Sequence, residues 1–206
     1  YQEYLPAYHA AVDAGAAMVM SAFNTLNGIP CSANSELFSD ILRDSWGFDG
    51  VVISDYSAVA ELVEHGVASD DKEAAELAFG IVDIDMMSLA FVRNGKKLIE
   101  EGKISEKTID RSVFKILKLK ERLGLFENPY RNADPQKEKE VHLCKKHREL
   151  ARIAAERSFV LLKNDGILPL SVSDRIALVG PFVNDGTVTG AWSCHGRRID
   201  TITVVE

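Results

Sequence analysis

The sequence predicts an α/β fold with parallel strands, on three observations. Short, strongly apolar runs bounded by turn residues occur at 17–23, 50–54 and 82–87. Segments with apolar residues at helical spacing lie between them. Regular alternation of helix and strand requires crossover connections, which make neighbouring strands parallel.

The elements follow in order. Residues 2–14 place Leu5, Tyr8, Ala11 and Val12 at helical spacing, and Gly15 ends that helix. The run at 17–23 reads as a strand buried on both faces. Residues 24–34 read as a polar loop. Asn34 or Ser35 can cap the next helix, whose Leu37, Ile41 and Leu42 share one face. A turn at 47–50 leads into the second buried strand. Helix is predicted over 57–79 with a break at 66–69, then the third strand at 82–87. A long helical stretch, 91–123, divides at Gly102, where Ser105 and Thr108 offer a polar start to its second half.

From Gly124 the character changes. Residues 128–135 are turn-rich, 137–146 charged and solvated, and 147–158 helical. Strands are predicted at 159–164 and 175–181, with 167–170 pairing back across the Asp165-Gly166 turn. The chain therefore divides into 1–125 from one α/β domain, 126–157 as linker and connecting helix, and 158–206 opening a second domain. Each piece leaves an open strand edge, so each is expected to be incomplete.

Composition narrows the function. Apolar residues make up 46% and charged residues 27% of the 206, as in an ordinary globular protein. The net charge of -7 arises from intermixed acids and bases, which excludes a clustered basic face for nucleic acid. No apolar run reaches the roughly 18 residues that a membrane helix needs. The start, Tyr1-Gln2-Glu3-Tyr4, has no Met and no signal-type core, and reads as the interior of a longer chain. Cys31, Cys144 and Cys194 are odd in number and scattered. That argues against a disulfide framework and favours a reducing, cytoplasmic compartment, with a periplasmic or secreted location as the alternative. No cofactor motif is present: there is no phosphate-cradling glycine loop and no serine nucleophile elbow. No metal is expected either, because His142 and His147 are five apart and would not stack on one helix face.

The run Trp46-Gly47-Phe48-Asp49-Gly50-Val51-Val52-Ile53-Ser54-Asp55-Tyr56 carries the chemistry. A buried strand ends in Ser-Asp followed by an aromatic. In parallel α/β architectures the carboxyl ends of strands line the active site. A carboxylate there faces a ligand while the strand holds its backbone still, and the aromatic suits the C–H-rich face of a sugar. Taken alone, Asp55 at a strand-to-helix junction reads as a helix cap, a role for which Ser57 competes.

The run resembles the nucleophile signature of glycoside hydrolase family 3, and the resemblance spans essentially the whole chain. Residues 14–28, Val82-Asp83-Ile84-Asp85-Met86, Arg122-Leu123-Gly124-Leu125-Phe126, 156–170 and Gly190-Ala191-Trp192-Ser193 resemble successive family segments in the right order. The match is nearest the bacterial periplasmic-type β-glucosidase and β-xylosidase branch. It implies that 1–125 is the C-terminal part of a (β/α)8 TIM-like barrel and that 158–206 begins an α/β sandwich domain. It implies a retaining hydrolase acting on a small oligosaccharide or glycoside with terminal β-linked glucose or xylose, with Asp55 as nucleophile. Tyr56, Met20 and Phe23 would then lie near the sugar subsites. Trp192 would be a wall from the second domain. His195, a single histidine beside the Trp192 loop in sequence, is a substrate-contact candidate by that position rather than by the resemblance. The acid/base carboxyl is expected beyond Glu206, about 5–5.5 Å from Asp55 in the assembled site. A Lys-His pair and an Arg expected upstream are absent here, so the chain alone should be inactive. Asp55 must be ionised, held so by donors or a nearby cation. Asp83 and Asp85 share one strand face, with their role open, and Ile81 stands where the family usually has Gly. The family's β-N-acetylglucosaminidase branch tends to carry Ser-Asp-Asp, unlike Ser54-Asp55-Tyr56. A carbohydrate-binding remnant without turnover is the alternative of another class. Oligomeric state is not legible.

Overall fold

The computed structural model describes residues 2–194 and 196–206. The chain forms two compact units, Tyr1–Asp134 and Pro135–Glu206.

The first unit opens with helix α1 (Leu5–Asp13), which has Pro6 in its first turn, where the missing amide costs no helical bond. Strand β1 (Met18–Met20) follows. Residues read as loop then form a small hairpin, β2 (Thr25–Leu26) against β3 (Ile29–Pro30). Its turn is Asn27-Gly28, both at positive φ (52° and 80°), which a two-residue hairpin turn demands. The next helix, Glu36–Ser45, is wound as a π-helix, and the Trp46 amide bonds Ile41 five residues back at 3.0 Å. Of the two candidate caps, Asn34 serves: its Oδ1 accepts the Leu37 amide at 2.9 Å.

Strand β4 (Val51–Ile53) pairs parallel to β1, with Met20 opposite Ile53. The third apolar run lies parallel on the other side, but as a single bridge, Ile53 to Ile84, rather than a regular strand. Side chains replace main-chain acceptors at both ends of that bridge. The Val52 amide goes to the Asp83 carboxylate (2.9 Å) and the Met86 amide to the Ser54 hydroxyl (2.8 Å). Double burial, expected of the first two runs, holds in β4, where Val51 and Val52 are 1% and 0% exposed. It does not hold in the first run, where Met18, Met20 and Phe23 are 40%, 48% and 43% exposed. Among the described residues β1 is the sheet edge, and an edge strand lacks the covering layer that a central strand has.

The helical regions break where the glycines predicted. Helices α2 (Glu61–Glu64) and α3 (Asp71–Ala78) replace one span. Helices α4 (Ala90–Glu100) and α5 (Glu106–Arg122) replace the other, with Ser105 Oγ accepting the Thr108 amide as cap. The small faces of Ala74, Ala75 and Ala78 let α3 close on Leu62, Ala90 and Leu98. A second cluster, Phe38, Leu42, Phe48 and Val82, packs around Val52. Burying a Leu or Val side chain of this kind contributes about 1.5–3 kcal/mol.

Gly50 sets the approach of β4 to the chain before β1. A Cβ there would stand 2.4 Å from the Ala17 carbonyl oxygen, which accepts the Val51 amide. Gly50→Ala is therefore expected to cost about 1–3 kcal/mol, read as a lower urea midpoint. An unchanged midpoint would mean that the two chains do not approach this closely.

The second unit holds α6 (Pro135–Val141) and α7 (Lys145–Ser158). The stretch read as charged and solvated is exposed and partly helical, because Pro at the first position and the Lys/Glu-rich run after it favour helix. The strands expected at 159–164, 167–170 and 175–181 do not form. Phe159, Leu162 and Val179 are 80%, 92% and 89% exposed. A strand needs a ladder partner, and this unit offers none among its described residues. The Asp165-Gly166 turn is closed instead by the Asn164 side chain, which both donates to and accepts from Leu168 (3.0 and 3.1 Å).

Candidate active site

Parallel pairing brings the carboxyl ends of β1 and β4 to one rim. Ser21 follows β1 and donates its amide to Ile53 at 2.9 Å, while Ser54 follows β4 and donates to Ile84 at 2.9 Å. Asp55 is the next residue, half-buried, where the ladder stops. Its Oδ1 accepts the Tyr56 amide at 2.7 Å. No donor reaches Oδ2 among the described residues, and no cation pairs with the group there. Asp55 is not a helix cap in this geometry. A cap accepts from amides two or three residues on, and α2 begins only at Glu61, preceded by Ala60 without a side-chain bond.

Tyr56, Met20 and Phe23, singled out with Asp55, stand on the same rim with exposed side chains. Trp192 belongs to the second unit, on a 3-10 turn (Ala191–Ser193), with its indole 92% exposed. His195 lies outside the described residues.

The two strand acids have structural work that the sequence did not disclose. Asp83 points away from the rim into a buried network. Its carboxylate takes Arg43 at 2.7 Å, Ser112 at 2.7 Å, Lys115 at 3.1 Å and the Val52 amide at 2.9 Å. Burial pushes this carboxyl up, but the Val52 amide, the Ser112 hydroxyl and the two cations outweigh it and hold it below the usual range. For Lys115, burial prevails over the Asp83 attraction and lowers its pKa. Asp85 ties down the start of α4: it accepts Ser88 Oγ and the Phe91 amide of the first turn. The signal for Asp83 was a buried run interrupted by an acid, but its partners lie 29 to 40 residues away in sequence.

A cavity of about 420 Å3 opens between the π-helix and α5, lined by Arg43, Phe48, Arg111 and Lys118. Asp55 does not line it; Arg43 bonds the Gly50 carbonyl there, at the opposite end of β4. No group of three or more metal-ligating side chains comes together among the described residues, nor is any helix there long and apolar enough to cross a membrane.

Comparison with known proteins fits this layout. Residues 1–119 match the glycosyl hydrolase family 3 N terminal domain. A periplasmic beta-glucosidase of Salmonella typhimurium is 38% identical over all of this chain, which spans 28% of that protein. A putative beta-xylosidase of Formosa agariphila is 36% identical over 90% of the chain, spanning 25% of its own length. The crystal structure of a beta-glucosidase from Listeria innocua in complex with glucose superposes on 99% of this chain with a TM-score of 0.82 and 47% identity, and the chain covers 28% of it. With more than half its length matched to the family domain, and with two parallel strands of which β4 ends in Ser54-Asp55-Tyr56, this chain belongs to glycosyl hydrolase family 3.

Proposed function

We propose that the complete protein hydrolyses terminal, non-reducing β-linked glucosides or xylosides with retention, and that Asp55 is its nucleophile. The observation that carries this reading is Asp55 at the rim of two parallel strands, with Oδ1 held by the Tyr56 amide and Oδ2 without a donor among the described residues. In the first step an Asp55 oxygen bonds to C1 of the sugar and the C1–O bond breaks. The leaving oxygen takes a proton from a second carboxyl. Water then attacks C1, gives its proton to that carboxylate, and the ester to Asp55 breaks. The acid/base group belongs to a part of the protein that this chain does not span, so the chain alone should be inactive.

On the same reading, residues 1–125 are the C-terminal part of a (β/α)8 barrel, 126–157 the connection, and 158–206 the start of an α/β sandwich domain. The apolar faces left open on β1 and on residues 159–179 are those that the remaining strands of such domains would cover. Tyr56, Met20 and Phe23 lie near the sugar subsites, Trp192 is assigned as a wall on family resemblance, and His195 is a substrate-contact candidate by its place beside Trp192 in sequence. The relatives named beta-glucosidase and beta-xylosidase support the two sugar classes.

The test is a 2-deoxy-2-fluoroglycoside applied to the complete protein, followed by peptide mapping. The label is expected on the peptide containing Ser54-Asp55-Tyr56. A label on any other peptide removes Asp55 from this role.

A further inference from the structure

We infer that Ser54 is a positioning residue that aims Asp55, through a hydroxyl standing where a strand carbonyl would otherwise be. The inference rests on Asp55 being the nucleophile. Ser54 is fully buried and its hydroxyl is used twice: it accepts the Met86 amide at 2.8 Å and donates to the Asp55 carbonyl at 2.9 Å. An uninterrupted parallel ladder would send the Met86 amide to the main-chain carbonyl of Ser54. By accepting that amide through its side chain, Ser54 completes the last rung while the backbone leaves the ladder. Asp55 therefore emerges from a fixed point rather than from a frayed end.

The surrounding bonds act on the same short segment. The Ser57 amide reaches the Met86 carbonyl at 2.8 Å, and the Asp55 carbonyl also accepts Ala58 at 3.2 Å. Ser57 holds a left-handed φ of 58° and Met87 one of 70°, conformations that side-chain-bearing residues keep only when neighbours hold them. The two bends are joined by the Ser57–Met86 bond, and the Ser54 hydroxyl closes the pair from behind. Without that hydroxyl, the Met86 amide loses its acceptor and the Asp55 carbonyl loses one of two donors. Those contacts fix the direction of the Asp55 Cα–Cβ bond. Misplacing a reacting group by about 1 Å costs on the order of 100-fold in rate.

The test uses the complete protein with 2-deoxy-2-fluoro-β-glucosyl fluoride. Asp55 bonds to C1 as the C1–F bond breaks and fluoride departs with the electron pair. No acid catalyst is needed, so the rate constant reports the nucleophile alone. Ser54→Ala is expected to lower that constant roughly 10- to 100-fold, with the reversible binding constant changed by less than about threefold. Ser54→Cys keeps the volume but is a weak hydrogen-bonding group, and is expected to fall between. The constant is a property of the folded fraction, so partial unfolding does not imitate the effect. If Ser54→Ala does not accumulate, Ser54→Cys carries the test, with a drop of at least about fivefold expected. A Ser54 variant labelled at the parent's rate on the Asp55 peptide would overturn the positioning role and leave the nucleophile intact. Parent protein labelled on another peptide would overturn the nucleophile itself.

Discussion

Asp55→Ala in the complete protein is expected to lower kcat by a factor on the order of 10⁴ or more while leaving the fold in place. The two halves of this expectation have separate grounds. The side chain is half-buried and, among the described residues, accepts one hydrogen bond, from the next amide, so its loss opens no cavity and strands no buried charge. The stability change should stay within about 0.5 kcal/mol. Chemistry depends on it entirely under the retaining scheme, because the covalent intermediate forms on its oxygen. Azide supplies a further check. A small anion entering the space left by the carboxylate can attack C1 from the same face, expel a good leaving group and yield the α-glycosyl azide. Rescue of turnover with that product is the expected result. Near-parent kcat without azide would reduce Asp55 to a loop residue.

The second large effect concerns folding rather than catalysis. Asp83→Ala should destabilise the chain by about 3–5 kcal/mol, measured by urea unfolding. Removing the carboxylate leaves the half-buried Arg43 and Lys115 facing each other, and the Val52 amide and Ser112 hydroxyl without their acceptor. The cost comes from stranding these partners, not from the worth of the pair as such. Replacing all three charged groups together with apolar residues of similar volume should therefore cost less than the single change, by the share that the stranded cations contribute. A triple variant as unstable as Asp83→Ala would contradict this account.

The same network sets an acid limit on stability. The Asp83 pKa is lowered in the folded chain, so the unfolded chain binds a proton more readily at low pH. Its contribution is fully present above the unfolded carboxyl value of about 3.9 and is lost as pH falls below that, through the lower folded value. The stability gap between the parent and Asp83→Asn should thus be constant near neutrality and shrink below about pH 4. A gap that persists unchanged well into acid would mean that folding leaves the Asp83 pKa where it stands in the unfolded chain.

Much of this chain was legible from its sequence, for a shared reason. Helix caps, glycine breaks and strand runs are settled by residues within a few positions of one another. The start of α5 at Ser105, the cap at Asn34 and the end of β4 at Ser54-Asp55 are of this kind. So is the family assignment, which reads an ordered series of local motifs. Tertiary structure alone decided the rest. It turned Asp83 from a strand acid into the hub of a buried network, since its partners lie far along the chain. It made Ser54 a ladder rung through Met86, 32 residues away. It left the apolar runs of the second unit unpaired and β1 an edge, because a strand's burial and hydrogen bonds belong to its neighbours. Local sequence selects a conformation; only the partner brought alongside determines whether a charge is satisfied, a strand is paired, or a carboxylate is left free.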